Sequence, residues 1–288
     1  MNAQAIDHWF DGDGIRIHGL EWPMADLDAA RPDAPLVLFL HGVGGNAWIW
    51  DDVAPRLRAL VPDARLVAID QRDGGDTEHP AEDYSRTAFT ADVLAVHDAL
   101  GGRPMTLVGH SRGGWLAAWI AATHPGRVAN LVLVDPARLA FGDAAAADTF
   151  FAWVEGSLGP FEDADAAVAW ARGQDEEAAW TAVRRRSFLF GLRPGTDGRL
   201  VGKLPRGAVA RLRDARADAT VVTEAIAGMA VPTMVLVAER QSPARRADKL
   251  RYVERIPGAT WRSIDGSHFL QTDAPDDVAA AIASVIRR

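Results

Sequence analysis

No cysteine occurs among the 288 residues. Disulfides, thiolate catalysis and cysteine-ligated zinc are thereby excluded, and folding needs no oxidising compartment. An excess of positive charge is missing as well. Lys and Arg number 31 against 39 Asp and Glu, a formal net charge of −8, so the chain lacks the electrostatic footprint that a phosphate backbone or an anionic membrane surface requires. Long apolar runs are absent, because the hydrophobic stretches at 36–40, 107–108 and 131–134 fall far short of the ~18 residues of a membrane helix. Residues 1–14 carry Asp7, Asp11 and Asp13 and have neither the basic start nor the apolar run of a signal peptide. These absences predict a cytoplasmic protein that engages neither nucleic acid nor membrane, as a monomer or a homodimer. Internal repeats are lacking too, and the alanine run at 144–147 reads as a helix former.

What is present is apolar substance: 48% hydrophobic residues, enough to bury the core of one large α/β domain. Short apolar runs alternate with helical patterns in the first half, as in a parallel sheet covered on both faces by crossover helices. Strands are expected at 15–22, 36–40, 65–69, 105–108 and 131–134, with helices near 48–60, 87–100 and 111–123. After Pro136 the pattern turns to an alanine- and arginine-rich helical region bearing tryptophans, with turn signals at 193–198, lasting to about Gly228. Strand–helix alternation resumes with strands near 231–238 and 260–264, helices near 244–256 and from Pro275. One sheet assembled from both ends of the chain is predicted, with an insertion between them.

Gly109-His110-Ser111-Arg112-Gly113 directly follows one expected strand and precedes an apolar helix. That context suits a G-x-S-x-G elbow, in which glycines let a nucleophilic serine sit on a sharp strand-to-helix turn. His41-Gly42-Val43-Gly44-Gly45 ends the strand at 36–40, where a loop passes over the top of the sheet beside the elbow. The backbone amides of Val43 and Arg112 are the expected pair of donors to an oxyanion, while the His41 imidazole is expected only to fix its loop. Of the eight histidines, His268 follows the last strand and precedes the last helix, which makes it the candidate base in the chain order Ser…His. Gly42, His110, Trp153 and Phe269 are candidate substrate contacts. Neither a His-Glu-x-x-His motif nor another close His/carboxylate spacing appears, so neither metal nor cofactor is expected.

His41-Gly42, Asp70-Gln71-Arg72, the Ser111 elbow, 131–136 and Gly266-Ser267-His268-Phe269 together resemble the α/β-hydrolase superfamily over nearly the whole chain. The resemblance implies a doubly wound, mostly parallel α/β sheet of that type, with a helical cap inserted after the sixth strand. The core would span 1–136 and 229–288 and the cap 137–228. Two departures stand out. Asp73 replaces the glycine usual in the Asp-x-Arg-Gly turn, at little expected functional cost. More seriously, the place of the usual acid, after the penultimate strand, reads Glu239-Arg240-Gln241-Ser242, with no aspartate. Asp135, at the end of the strand 131–134, is the first candidate to replace it, as in branches that draw their acid from there, such as haloalkane dehalogenases and zearalenone lactonases. Glu239 is the second, and a water-supported dyad or another acid stays open.

The expected activity is hydrolysis of a carboxylic ester or lactone through an acyl-enzyme on Ser111. An aspartate nucleophile would be needed for epoxide hydrolase or dehalogenase chemistry, and Ser111 argues against both. Carbon–carbon bond hydrolysis and cofactor-independent peroxidase activity remain alternatives, as does a non-catalytic ligand receptor on the same scaffold. Aromatic residues crowd the cap, among them Phe150, Trp153, Trp170, Trp180 and Phe188, and suit a lid over a small apolar or ring-bearing substrate. The run Arg184-Arg185-Arg186 is expected chiefly as a solvated helix face.

Overall fold

The computed structural model describes residues 4–24, 34–138, 144–174, 179–215 and 219–287. Along the first half run β1 (Ile6–Asp11), β2 (Arg16–Trp22), β3 (Leu36–Leu40), α1 (Val53–Leu60), β4 (Arg65–Ile69), α2 (Arg86–Ala99), β5 (Met105–His110), α3 (Arg112–Thr123) and β6 (Val128–Val134). The insertion holds α4 (Ala144–Ser157), α5 (Ala164–Gln174), α6 (Ala182–Phe190), the hairpin β7 (Leu192–Pro194) and β8 (Leu200–Gly202), α7 (Arg206–Ala215) and α8 (Ala219–Ala227). The chain closes with β9 (Thr233–Ala238), α9 (Pro243–Arg255), β10 (Thr260–Ile264), α10 (Leu270–Asp273) and α11 (Pro275–Ile286).

Eight strands form one sheet in the order β1-β2-β4-β3-β5-β6-β9-β10. β1 and β2 pair antiparallel, as do β2 and β4, and every other neighbouring pair is parallel. The expected doubly wound, mostly parallel α/β sheet is therefore present, with the inserted helices after the sixth strand. Every residue of β3, β5 and β9 is buried, because helices cover both faces. Phe89 and Val93 of α2, Leu116 of α3 and Tyr252 of α9 pack on one face, and Val53 and Leu57 of α1 with Val278 and Ile282 of α11 pack on the other.

Differences from the sequence expectation lie at the edges. β1 lies outside the strands expected from the sequence: its Ile6 and Trp9 are exposed, and it pairs with β2 from Ile6↔Glu21 to Asp11↔Arg16. The helix expected at 48–60 is a 3-10 turn at Ala47–Trp50 followed by α1. The turn signals at 193–198 belong to the loop of the β7–β8 hairpin. The inserted helices are shared between two clusters: Val154, Leu212, Val222 and Ile226 join the one that covers the α3 face of the sheet, while Phe161, Ala167 and Leu192 form a small cluster within the insertion itself. The segments after β3, β5, β6, β9 and β10 all emerge at the carboxyl edge of the sheet, where open α/β sheets place their ligands.

Candidate active site

Ser111 stands between β5 and α3 with φ 52° and ψ −120°. A non-glycine residue in that region is strained and persists only where its surroundings hold it. Here the Ser111 amide donates to the Val134 carbonyl at 3.2 Å, and its own carbonyl accepts from Gly114, Trp115 and Ala137 at 3.0, 3.1 and 2.8 Å. The turn is tight enough to require its glycines. A Cβ on Gly109 would lie 2.3 Å from the Gly113 carbonyl oxygen, and one on Gly113 would lie 2.4 Å from that of His41.

The loop after β10 brings His268 over the serine. That loop is fixed by the Ser267 amide donating to Asp273 at 2.7 Å, the Arg240 amide donating to the Gly266 carbonyl at 2.9 Å, and His110 Nε2–H donating to the His268 carbonyl at 2.8 Å. On the ring, Nε2 lies 3.0 Å from Ser111 Oγ and Nδ1 lies 2.6 Å from Asp135 Oδ2. An ionised carboxylate only accepts, so the proton sits on Nδ1 and Nε2 is free to accept from the serine hydroxyl. His110 is buried, and that burial, followed by the charge of neighbouring His268, holds it well below the usual histidine range.

Asp135 sits just past β6 with φ 37°, anchored by its amide on the Leu236 carbonyl at 2.8 Å. Its Oδ1 accepts from the Ala238 amide at 3.1 Å and from Gln241 Nε2 at 3.2 Å. Burial alone would raise this carboxyl, but the Lys249 ammonium and the hydrogen bond to His268 outweigh it and leave it well below the carboxylate range. Lys249 Nζ lies 3.5 Å from Oδ2 and donates to the Pro136 carbonyl at 2.5 Å. Glu239 is exposed, its amide on the Ile264 carbonyl at 3.0 Å. Of the two candidate acids, the structure brings Asp135 to the imidazole. Gln241, in the place of the usual acid, donates to Asp135 instead, while Ser242 caps α9 by accepting from the Arg245 amide.

The loop at 41–45 lies against the elbow: a Cβ on Gly42 would be 3.2 Å from both Ser111 Cβ and His110 Nδ1. His41 fixes the loop, with Nδ1–H on the Gly42 carbonyl at 2.6 Å and Nε2 accepting from the Gln71 amide at 2.8 Å. Among the described residues, neither the Val43 nor the Arg112 amide has a hydrogen-bond partner, so both are open to an oxyanion. Asp73, expected to matter little, is completely buried. It accepts from the Gly44 amide at 3.0 Å and from Arg112 Nη2 at 2.5 Å, and so ties the oxyanion-side loop to the side chain that follows the serine. Sequence reasoning missed Lys249 and gave Asp73 too little weight, because each partner is remote in the chain.

A cavity of about 920 Å³ opens above Ser111, large enough for a small organic molecule. Gly42, Val43 and His110 line it from the sheet side together with Phe269, and the insertion contributes Phe150, Trp153, Trp170, Trp180 and Phe188. The arginine run divides. Arg185 and Arg186 are exposed, but Arg184 is buried in the lining, its guanidinium carbon 3.9 Å from the Phe269 ring centre and 4.8 Å from that of Trp180. Among the described residues, no three His, Asp or Glu side chains gather as a metal set, and no helix is long and apolar enough to cross a membrane.

Comparison with known proteins gives a match of residues 35–275 to the family described as alpha/beta hydrolase fold. The chain is 26% identical over 262 residues, covering 89% of each sequence, to a 2-(acetamidomethylene)succinate hydrolase of Mesorhizobium japonicum. The crystal structure of E-2-(acetamidomethylene)succinate hydrolase covers 99% of this chain and 100% of its own with a TM-score of 0.79 at 22% identity. The enol-lactonase of Burkholderia xenovorans covers 98% and 100%, with a TM-score of 0.75 at 20% identity. At these identities the two structural likenesses speak for the fold alone.

Proposed function

The chain belongs to the α/β-hydrolase fold family, and on that premise we propose that it is a serine hydrolase cleaving a carboxylic ester or lactone of a small apolar or aromatic substrate. The observation that carries this reading is the unbroken chain from Ser111 Oγ to His268 Nε2 at 3.0 Å and from Nδ1 to Asp135 at 2.6 Å, at the floor of the cavity. The Mesorhizobium relative, a hydrolase by name, supports the reaction class.

In this reading His268 takes the Ser111 proton as Oγ attacks the substrate carbonyl. The developing oxyanion is received by the Val43 and Arg112 amides. The imidazolium, stabilised by Asp135, then protonates the leaving alkoxide as its C–O bond breaks, which leaves Ser111 acylated. His268 next deprotonates a water that attacks the acyl carbon, and release of the acid restores the serine. The segment 137–228 acts as the lid over the core 1–136 and 229–288, with Trp153 and Phe269 offering ring faces to the substrate. A panel of esters and lactones of graded size, extended to vinylogous diketones and peroxide, tests this. The highest kcat/KM is expected on an ester or lactone and is lost in Ser111→Ala. Turnover confined to the diketones or to peroxide would replace the ester reading, and turnover of none would favour a receptor.

A further inference from the structure

Lys249 has no part in the mechanism above, yet among the described residues it is one of the few buried cations. It lies on α9, within a stretch whose other cations include the exposed Arg245, Arg251 and Arg255 and the half-buried Arg246, but Lys249 itself turns inward to 5% exposure. Nζ is clamped between the Pro136 carbonyl at 2.5 Å and Asp135 Oδ2 at 3.5 Å. One turn on, the Tyr252 hydroxyl donates to the Ala137 carbonyl at 2.8 Å, so α9 grips the chain on the far side of the acid. Asp135 is itself completely buried. A buried carboxylate without a fixed counter-charge draws a proton to itself or traps one on its neighbour. Here the neighbour is the imidazole, and an imidazolium cannot accept the Ser111 proton.

We propose that Lys249 is a positioning residue for the hydrolysis at Ser111, its ammonium supplying the counter-charge of the buried Asp135 so that the imidazole beside that carboxylate stays free to accept the Ser111 proton. This rests on the serine-hydrolase reading. The groups facing the ammonium are Asp135 at the end of β6, Asp248 and Arg245 on its own helix and His110 at the end of β5, with His268 after β10 on the other side of the Asp135 carboxylate. Asp248 is engaged by Arg138 at 2.9 Å and His110 is held neutral, which leaves Lys249 to balance Asp135. Burial pushes the Lys249 ammonium down, and Asp135 works against that loss.

The test is the pH dependence of Ser111 labelling by a fluorophosphonate, measured for the wild type, Lys249→Met and Lys249→Gln, with thermal unfolding alongside. Glutamine keeps a donor for the Pro136 carbonyl but no charge. Removing a charge this close moves a titration by about one unit or more, so the acid limb should move up by that amount in both variants. Labelling on that limb then falls about tenfold, with the alkaline plateau near the wild-type rate. An unmoved limb in both variants, with or without a lower plateau, overturns the proposal and leaves Lys249 a structural role. A shift in Lys249→Met alone also overturns it, by assigning the effect to the hydrogen bond. If Lys249→Met does not fold, Lys249→Gln decides. A wild type that is never labelled overturns the hydrolase reading itself and this proposal with it.

Discussion

Replacing Asp135 by asparagine preserves volume and isolates charge. The new side chain can keep an oxygen on the Ala238 amide and Gln241 Nε2, which lie 3.1 and 3.2 Å from the present Oδ1. Its amide nitrogen must then take the place of Oδ2, 2.6 Å from His268 Nδ1 and 3.5 Å from Lys249 Nζ, two groups that both donate. The ring escapes only by moving its proton to Nε2, which points an N–H at Ser111 Oγ and removes the base. Losing tautomer and imidazolium stabilisation together is worth about 10³–10⁴ in kcat, or ~4–5.5 kcal/mol of barrier. KM should stay within about threefold, since Asp135 is fully buried and substrate contacts are untouched. Lys249 is meanwhile left without its partner, at a cost of about 3–5 kcal/mol of stability. Steady-state kinetics on the best ester, run below the variant's unfolding temperature, with calorimetry on the same sample, read both effects. A folded Asp135→Asn enzyme retaining more than a tenth of wild-type kcat would refute the reasoning.

Asp73→Asn removes the anion from a buried pair and should cost about 3–5 kcal/mol in urea unfolding. A kcat loss of at least tenfold should accompany it as the Gly44 loop and Arg112 loosen, and unchanged kcat would separate Asp73 from the oxyanion donors. Burial lowers both His110 and His41, so below about pH 6.5 the unfolded chain binds protons that the folded chain refuses. Stability should therefore fall with pH there by about 1.4 kcal/mol per unit for each histidine. His18 does not mask the fall. Burial opposes its protonation, but the bonds to Asp70 and Asp7 prevail and raise it, so its stabilisation is already complete below that pH and is lost only as pH rises. Denaturant midpoints from pH 8 to 5 check the slope, and a flat profile would contradict it. Trp153→Ala should raise KM for an aromatic ester about tenfold, the value of a buried ring face at ~1.5 kcal/mol, and leave an acetyl ester nearly unaffected; equal effects on both would mean that the ring packs the lid and does not touch substrate.

The strands β3, β5 and β9 are legible because burial on both faces writes them as unbroken apolar runs. β1 is not, because none of its residues is fully buried: Phe10 alone of its apolar side chains packs on the core, while Ile6 and Trp9 are exposed, so no apolar run marks the strand. The hairpin β7–β8 shows in the sequence only as its turn, each strand being three residues long. At the site, the Ser111 turn can be read because its close approaches admit only glycine at 109 and 113, and His268 by its place after the last strand. Which carboxylate meets the ring depends on where β6 and β9 end relative to one another, a matter of register that spacing does not express. The parts played by Lys249 and Asp73 are hidden for a related reason. Lys249 pairs with a carbonyl 113 residues away and looks in sequence like an ordinary surface charge, and Asp73 shows as a departure from the usual turn while the arginine it pairs with, 39 residues away, does not show. Arg184 likewise turns inward from a run whose next two members face solvent.

The central claim, a serine activated by His268 under two open amides, is tested most directly by exposing the wild-type chain to a fluorophosphonate and locating the adduct by peptide mass spectrometry. The predicted result is a single covalent adduct on Ser111, absent from Ser111→Ala and formed at least a hundredfold more slowly in His268→Ala. A folded wild type that carries no adduct, or an adduct on another residue that persists in Ser111→Ala, would contradict it.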